Sequence, residues 1–173
     1  MTVYRVDRIQ RFVGLEDERP ETTDIPIGSR MLEADTGDEY IFVGYYFASG
    51  VLTLTDQAEV GDAIDIGCAT YTFISEPGDC DPAQEPGEIV IGDSIAETAM
   101  NIAAAINGTD GVNAPNDDVT AEVTGADEVT VTSRVHGADA NAITTVYTPD
   151  ACVASAFAEA TLTGGYDEWQ ALP

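Results

Sequence analysis

A formal net charge of −26 on 173 residues, from 32 Asp and Glu against six arginines, limits most strongly what this chain can become. In dilute buffer, self-repulsion of that size works against any compact state. Yet 44% of the residues are hydrophobic and only 22% are charged, so there is enough apolar material to bury a core. In molar salt the Debye length falls to about 3 Å and most of the repulsion is screened. Carboxylates hold water and cations, whereas lysine stems, absent here, expose methylenes that concentrated salt drives together. The composition therefore predicts a folded protein adapted to a very salty medium. The alternative, an acidic protein of ordinary media with a cation-binding role, fits less well. Such charge comes in blocks, and here it is spread along the chain. The same sign excludes non-specific binding to nucleic acid and argues against docking on anionic lipid.

The basic residues are not spread. Residues 1–30 hold five arginines (Arg5, Arg8, Arg11, Arg19 and Arg30) and six acids, net −1; residues 31–173 hold Arg134 and 26 acids, net −25. Either the N-terminal arginines pair locally, or they form a docking face for an acidic partner, where the planar guanidinium grips carboxylates bidentately. Tyr40, Phe42, Tyr45, Tyr46 and Phe47 cluster on one stretch. They are either the core of a small β unit or an anchor patch for a neighbouring subunit.

The pattern predicts an α+β fold, mostly β, in two units. Residues 1–50 read as a small β docking unit, with a hairpin turn at Asp35-Thr-Gly-Asp38, a strand at Glu39–Val43 and a corner at Gly44-Tyr-Tyr-Phe47. Residues 51–173 read as an acidic antiparallel β domain carrying one helix. Its strands are expected at Val51–Thr55, Ala63–Ile66, Thr70–Ile74, Glu88–Ile91, Val119–Thr124, Glu128–Arg134, Ile143–Tyr147 and Ala158–Thr163. The helix spans about 94–107. Ser94 and Glu97 form a capping box, Ile95, Ala99, Ile102, Ala103 and Ile106 share one face, and Asn107-Gly108 is the stop.

The catalytic inventory is thin, and no enzymatic role is expected. The single histidine, His136, has no nucleophile elbow near it, and no glycine-rich phosphate loop exists. With 32 acids, carboxylate pairs arise by chance and lose diagnostic value. Glu16-Asp-Glu18, Asp79 with Asp81, and Asp117 with Asp118 are oxygen-rich clusters suited to hard cations (Na, K, Mg or Ca), though none has calcium-loop spacing. No other cofactor is expected. Cys68, Cys80 and Cys152 allow one disulfide at most and match no zinc spacing. They are inert thiols, or Cys80 pins its polar loop. Asn107-Gly-Thr109 is an N-glycosylation sequon that also serves as a helix stop. The N-terminus shows no signal peptide and no stretch approaches membrane-span length.

Two stretches resemble modules of tailed-virus structural proteins. One runs through Arg11-Phe-Val-Gly-Leu15, Arg19-Pro20, Ile25-Pro-Ile-Gly-Ser29 and Leu32-Glu-Ala-Asp-Thr-Gly-Asp-Glu-Tyr-Ile-Phe42. It is similar to a short β module of phage virion proteins, differing in Glu16-Asp17, Arg19 and Gly44-Tyr-Tyr. The other runs from Val60-Gly-Asp-Ala-Ile-Asp-Ile-Gly67 and Thr70-Tyr-Thr-Phe-Ile74 through Ile91–Asn107 to Val129–Thr132, Gly137–Ile143 and Ala160–Gly165. It is similar to a β-rich insertion module of phage tail and other virion proteins, with a longer acidic loop at Glu76–Glu88. With the salt adaptation, the resemblance implies a virion protein of a haloarchaeal tailed virus. It would be an external capsid decoration or vertex turret, or else a tail, baseplate or fibre component touching the host surface. It implies a homo-oligomer whose partners are other capsid or tail proteins. Arg5, Arg8, Arg11 and Arg19 would pair the shell's carboxylates, and the Tyr40–Phe47 patch would supply buried area.

Overall fold

The computed structural model describes residues 9–14, 25–75, 84–149 and 155–172. Arg5, Arg8, Arg19, Asp79, Asp81, Cys80 and Cys152 lie outside the described residues. The fold is α+β and mostly β, with one α-helix. It divides into two units, Met1–Tyr46 with Tyr166–Pro173, and Phe47–Gly165.

This division differs from the expected break at residue 50. The strand β3 (Glu39–Thr53) gives residues 39–46 to the first unit and 47–53 to the second. The expected corner at Gly44-Tyr-Tyr-Phe47 is therefore extended strand. The C-terminal strand β11 (Tyr166–Ala171) belongs with the N-terminal unit because it pairs antiparallel with β3 from Tyr40 to Tyr46. The division also changes the charge account. The first unit has twelve acids and five arginines, net −7; the second has twenty acids and one arginine, net −19. Both are strongly acidic. What sets the first apart is its arginines.

In the first unit the strand order is β1 (Arg11–Gly14), β2 (Arg30–Glu33), β3, β11. β1 runs parallel to β2 and the other pairs are antiparallel. The hairpin between β2 and β3 turns at Ala34–Asp38, as its Asp-Thr-Gly-Asp sequence predicts, with Gly37 at φ 81°. The core holds Ile25, Met31 and Phe42, with Trp169 ring-packed on Phe42 and Phe12 at 5.2 and 6.1 Å between centroids.

In the second unit, β3 pairs with β8 (Glu128–His136), and β8 pairs with β7 (Val119–Val123). The two-residue β10 (Ala156–Phe157) pairs with β3. A second sheet has the order β6 (Glu88–Val90), β5 (Ala69–Ile74), β4 (Ala63–Ile66), β9 (Thr145–Thr148). It is not wholly antiparallel as expected, because β5 and β6 run parallel. Residues 75–87 lie between them, long enough for the return a parallel pair needs. The stretch 158–163 is not a strand. It makes only single bridges, Thr161 to Thr144 and Thr163 to Ser49.

The helix α1 (Ile95–Asn107) forms where the caps direct it. Ser94 Oγ accepts from Glu97 N at 3.2 Å, and Glu97 reaches back to Asp93 N at 2.8 Å. Gly108 ends it at φ 66°, where a Cβ would lie 2.4 Å from Pro115 N. The helix packs on β7, β6 and β8. Ala99, Ile102, Ala103 and Ile106 are buried with Leu52, Ile64, Ile66, Phe73 and Ile89.

Asparagine amides close the edges of both sheets of this unit. Asn107 donates to Ala121 O at 2.7 Å and accepts from Ala121 N at 3.0 Å, so it pairs the outer side of β7 as a neighbouring strand would. Asn113 bonds Gly87 N and Glu88 O along β6, and Asn101 donates to Val90 O. Asn107 is thus turned onto β7, where its amide is already engaged, and the sequon is accounted for by this role. Asn107→Ala is expected to cost about 1–3 kcal/mol, since it orphans two backbone groups. Denaturant unfolding would measure this, and a cost under about 0.5 kcal/mol would contradict the assignment.

Candidate functional site

The first unit's sheet has two faces, and a bulge decides which residues share them. Partners across a ladder point to the same side. Arg11, Arg30, Ile41 and Gln170 are in register, as are Val13, Leu32 and Glu39. Toward the middle of β11, Glu168 opposes Gly44 but Trp169 opposes Phe42, so Val43 is an extra residue on β3. Alternation along β3 therefore flips at Val43. Tyr46 joins Ile41 on one face, while Tyr45 joins Phe42 on the other.

The outer face that results carries Arg11 and Val13 from β1, Arg30 and Leu32 from β2, Glu39, Ile41 and Tyr46 from β3, and Tyr166, Glu168 and Gln170 from β11. Val13 is 72% exposed and Tyr166 46%; Leu32 and Tyr46 are also exposed. Tyr46 stacks on Tyr166 with centroids 4.2 Å apart and planes 12° apart. The Tyr46 hydroxyl donates to Glu168 Oε2 at 2.9 Å, and that bond and the carboxylate's charge raise the phenol above its ordinary pKa. Arg30 lies 3.8 Å from Glu39. The four ionised groups of this face sum to zero, in a chain whose net charge is −26.

Of the aromatic patch expected from sequence, only part lies here. Phe42 is 1% exposed and is core, which withdraws it from any docking surface. Tyr45 packs on Phe42 at 4.6 Å and donates its hydroxyl to Ile25 O. Tyr40 lies on the same inner side, opposite Met31 and Ala171. Phe47 belongs to the second unit, where it is exposed and meets His136 edge to face at 6.0 Å. Of the four docking arginines, Arg11 is on the outer face. Val13, Leu32 and Tyr166 are not among the residues the sequence singles out, and Arg30 is there only as one of the N-terminal arginines, although the alternation Arg30-Met-Leu-Glu33 carries the signal for β2.

Of the remaining candidates, the Glu16-Asp-Glu18 cluster, like Asp79 and Asp81, lies outside the described residues. Asp117 and Asp118 are both exposed, and among the described residues no group of three or more His, Cys, Asp or Glu could hold a metal ion. Cys68 is an exposed thiol beside Gly67 at the β4–β5 turn. A cleft of about 440 Å³ opens beside α1, lined by Asp93, Glu97, Asn101, Asp110 and Gln84 among others. Gln84, Glu97, Asn101 and Asp110 all engage their side-chain groups in hydrogen bonds within the unit. Partial burial works against the charge of Asp110, but the Asn113 side chain, the backbone N–H groups of Val112 and Asn113, and Gln84 outweigh it and hold its pKa below the ordinary range. Sequence reasoning also missed a buried pair. Tyr147 donates its hydroxyl to Asp62, itself fully buried, and burial followed by that carboxylate pushes the phenol's pKa well up. The pair links the start of β4 to β9. Among the described residues no helix is long and apolar enough to cross a membrane. No family model matches the chain, and neither does any curated protein or solved structure.

Proposed function

We propose that this protein is a non-enzymatic structural component of a haloarchaeal tailed-virus particle, an external decoration or vertex turret. The N-terminal unit makes the contacts of assembly and the larger acidic unit faces the brine. One observation carries the proposal: a sheet face that is electrically balanced, rich in exposed apolar groups and holding Arg11 and Arg30, in a chain otherwise covered with carboxylates. Such a face suits a protein partner, because it offers area to bury and a guanidinium fork for a carboxylate. The resemblance of both sequence stretches to virion modules supports the class of partner, other capsid proteins. Nucleic acid and membrane have no part in it.

Quantitative mass spectrometry of purified particles tests it. The chain is expected at a fixed ratio to the major shell protein, in a copy number set by icosahedral symmetry. A handful of copies per particle would move the protein to the tail, baseplate or fibre. Its absence from particles would overturn the assignment.

A further inference from the structure

We infer that the outer face of the N-terminal sheet is where two copies of this chain pair, as a face-to-face dimer about a two-fold axis parallel to the strands. The proposal shares with the preceding one only the assignment of assembly contacts to this unit, and it is tested on the isolated protein.

Electrostatics argues for a second copy. Two molecules of charge −26 repel through almost any pair of surfaces. On the outer face this repulsion is locally relieved, because Arg11 and Arg30 balance Glu39 and Glu168. Salt screens what repulsion remains and strengthens the burial of Val13, Leu32, Ile41, Tyr46 and Tyr166.

The distribution of the charges selects the axis. Arg11 and Arg30 stand on β1 and β2, while Glu168 stands on β11 at the opposite edge. A symmetric contact must oppose the face to itself. With the axis parallel to the strands, β1 of one copy lies over β11 of the other, which brings Arg11 level with the partner's Gln170 and, two residues along β11, within an arginine side chain's reach of the partner's Glu168. With the axis across the strands, β1 lies over β1 and β11 over β11, so the arginine-bearing edges meet each other and Glu168 lies at the far edge. Of the two arrangements the first is the complementary one. Tyr46 already holds Glu168 by a hydrogen bond, so less side-chain freedom is lost on pairing.

The size of the face bounds the affinity. Four strands span about 20 Å and the six residues of β11 about 20 Å. This is about 400 Å² on each copy and about 800 Å² in total, below the standard size of a specific interface, so a weak dimer with a dissociation constant on the order of tens of micromolar is expected.

Sedimentation equilibrium in molar potassium chloride, at protein concentrations rising to hundreds of micromolar, is expected to give a mass that climbs toward twice the 18.2 kDa chain mass. Val13→Glu, at the most exposed apolar point, should yield monomer with an unchanged melting temperature. Arg11→Glu should weaken the dimer about tenfold. Adding Glu168→Arg to Arg11→Glu should restore it. A wild-type monomer throughout, a dimer indifferent to Val13→Glu, or a charge swap that fails to restore pairing would each overturn the proposal. A dimer in solution with no protein in particles would remove only the virion assignment. A stoichiometric virion protein that stays monomeric in solution would remove only the dimer.

Discussion

Transfer from dilute buffer to molar salt is expected to raise the melting temperature by an amount on the order of 10 °C. The chain carries −26, shared as −7 and −19 between its two units, so neither escapes self-repulsion. Going from about 0.01 to 1 M salt shortens the Debye length from roughly 30 to 3 Å, below the typical spacing of surface charges. For a chain of this length each kcal/mol shifts the midpoint by roughly 2–4 °C, so relief of a few kcal/mol gives the stated rise. Scanning calorimetry across a potassium chloride series measures it. A midpoint that is flat or falls would show that the acids are not a surface adaptation to salt.

Trp169→Ala is expected to destabilise the N-terminal unit by about 3–5 kcal/mol, the usual cost of deleting a large aromatic from a core. Trp169 reaches both Phe42 and Phe12, and it sits on a strand that arrives from the far end of the chain. Few other large side chains fill this small core, so little can collapse into the gap. Amide hydrogen exchange should show protection lost along β2 and residues 39–46 but retained in α1, β4 and β5. A uniform loss across both units, or a cost below about 1 kcal/mol, would contradict the separate cores described for them.

Local signals in the sequence were sufficient for the elements whose cause is local. The helix was legible because Ser94, Glu97 and Gly108 fix its ends and its apolar residues recur at the helical period. The strands β4 and β5 were legible because apolar and polar residues alternate along each of them. The failures share a physical cause, which is dependence on a distant partner. Nothing in Tyr-Asp-Glu-Trp-Gln-Ala marks a strand until β3 supplies its ladder, so β11 and the composition of the first unit were missed. The candidate face was only partly visible for the same reason. Phe42 and Tyr46 look alike in sequence, and they part company only because pairing with β11 leaves Val43 unmatched. The asparagines showed no pattern of their own, since their bonds run to backbone far along the chain. The arginine enrichment was legible, but its reading as a neutral N-terminal segment dissolved once Asp167 and Glu168 joined the same unit as the acidic hairpin.

The extra residue at Val43 also works as a frame marker. Every side chain downstream of it on β3, up to the end of the pairing with β11, takes its address, inside or outside, from that one insertion. The two faces of the sheet can therefore exchange tyrosines without any change of amino-acid type: one residue inserted between Glu168 and Trp169 would give Val43 a partner, present Tyr45 to the exterior and send Tyr46 toward Phe42. Lineages descended from such a chain could acquire or discard a contact surface by a one-codon insertion opposite Val43, a shorter route than substituting the surface residue by residue.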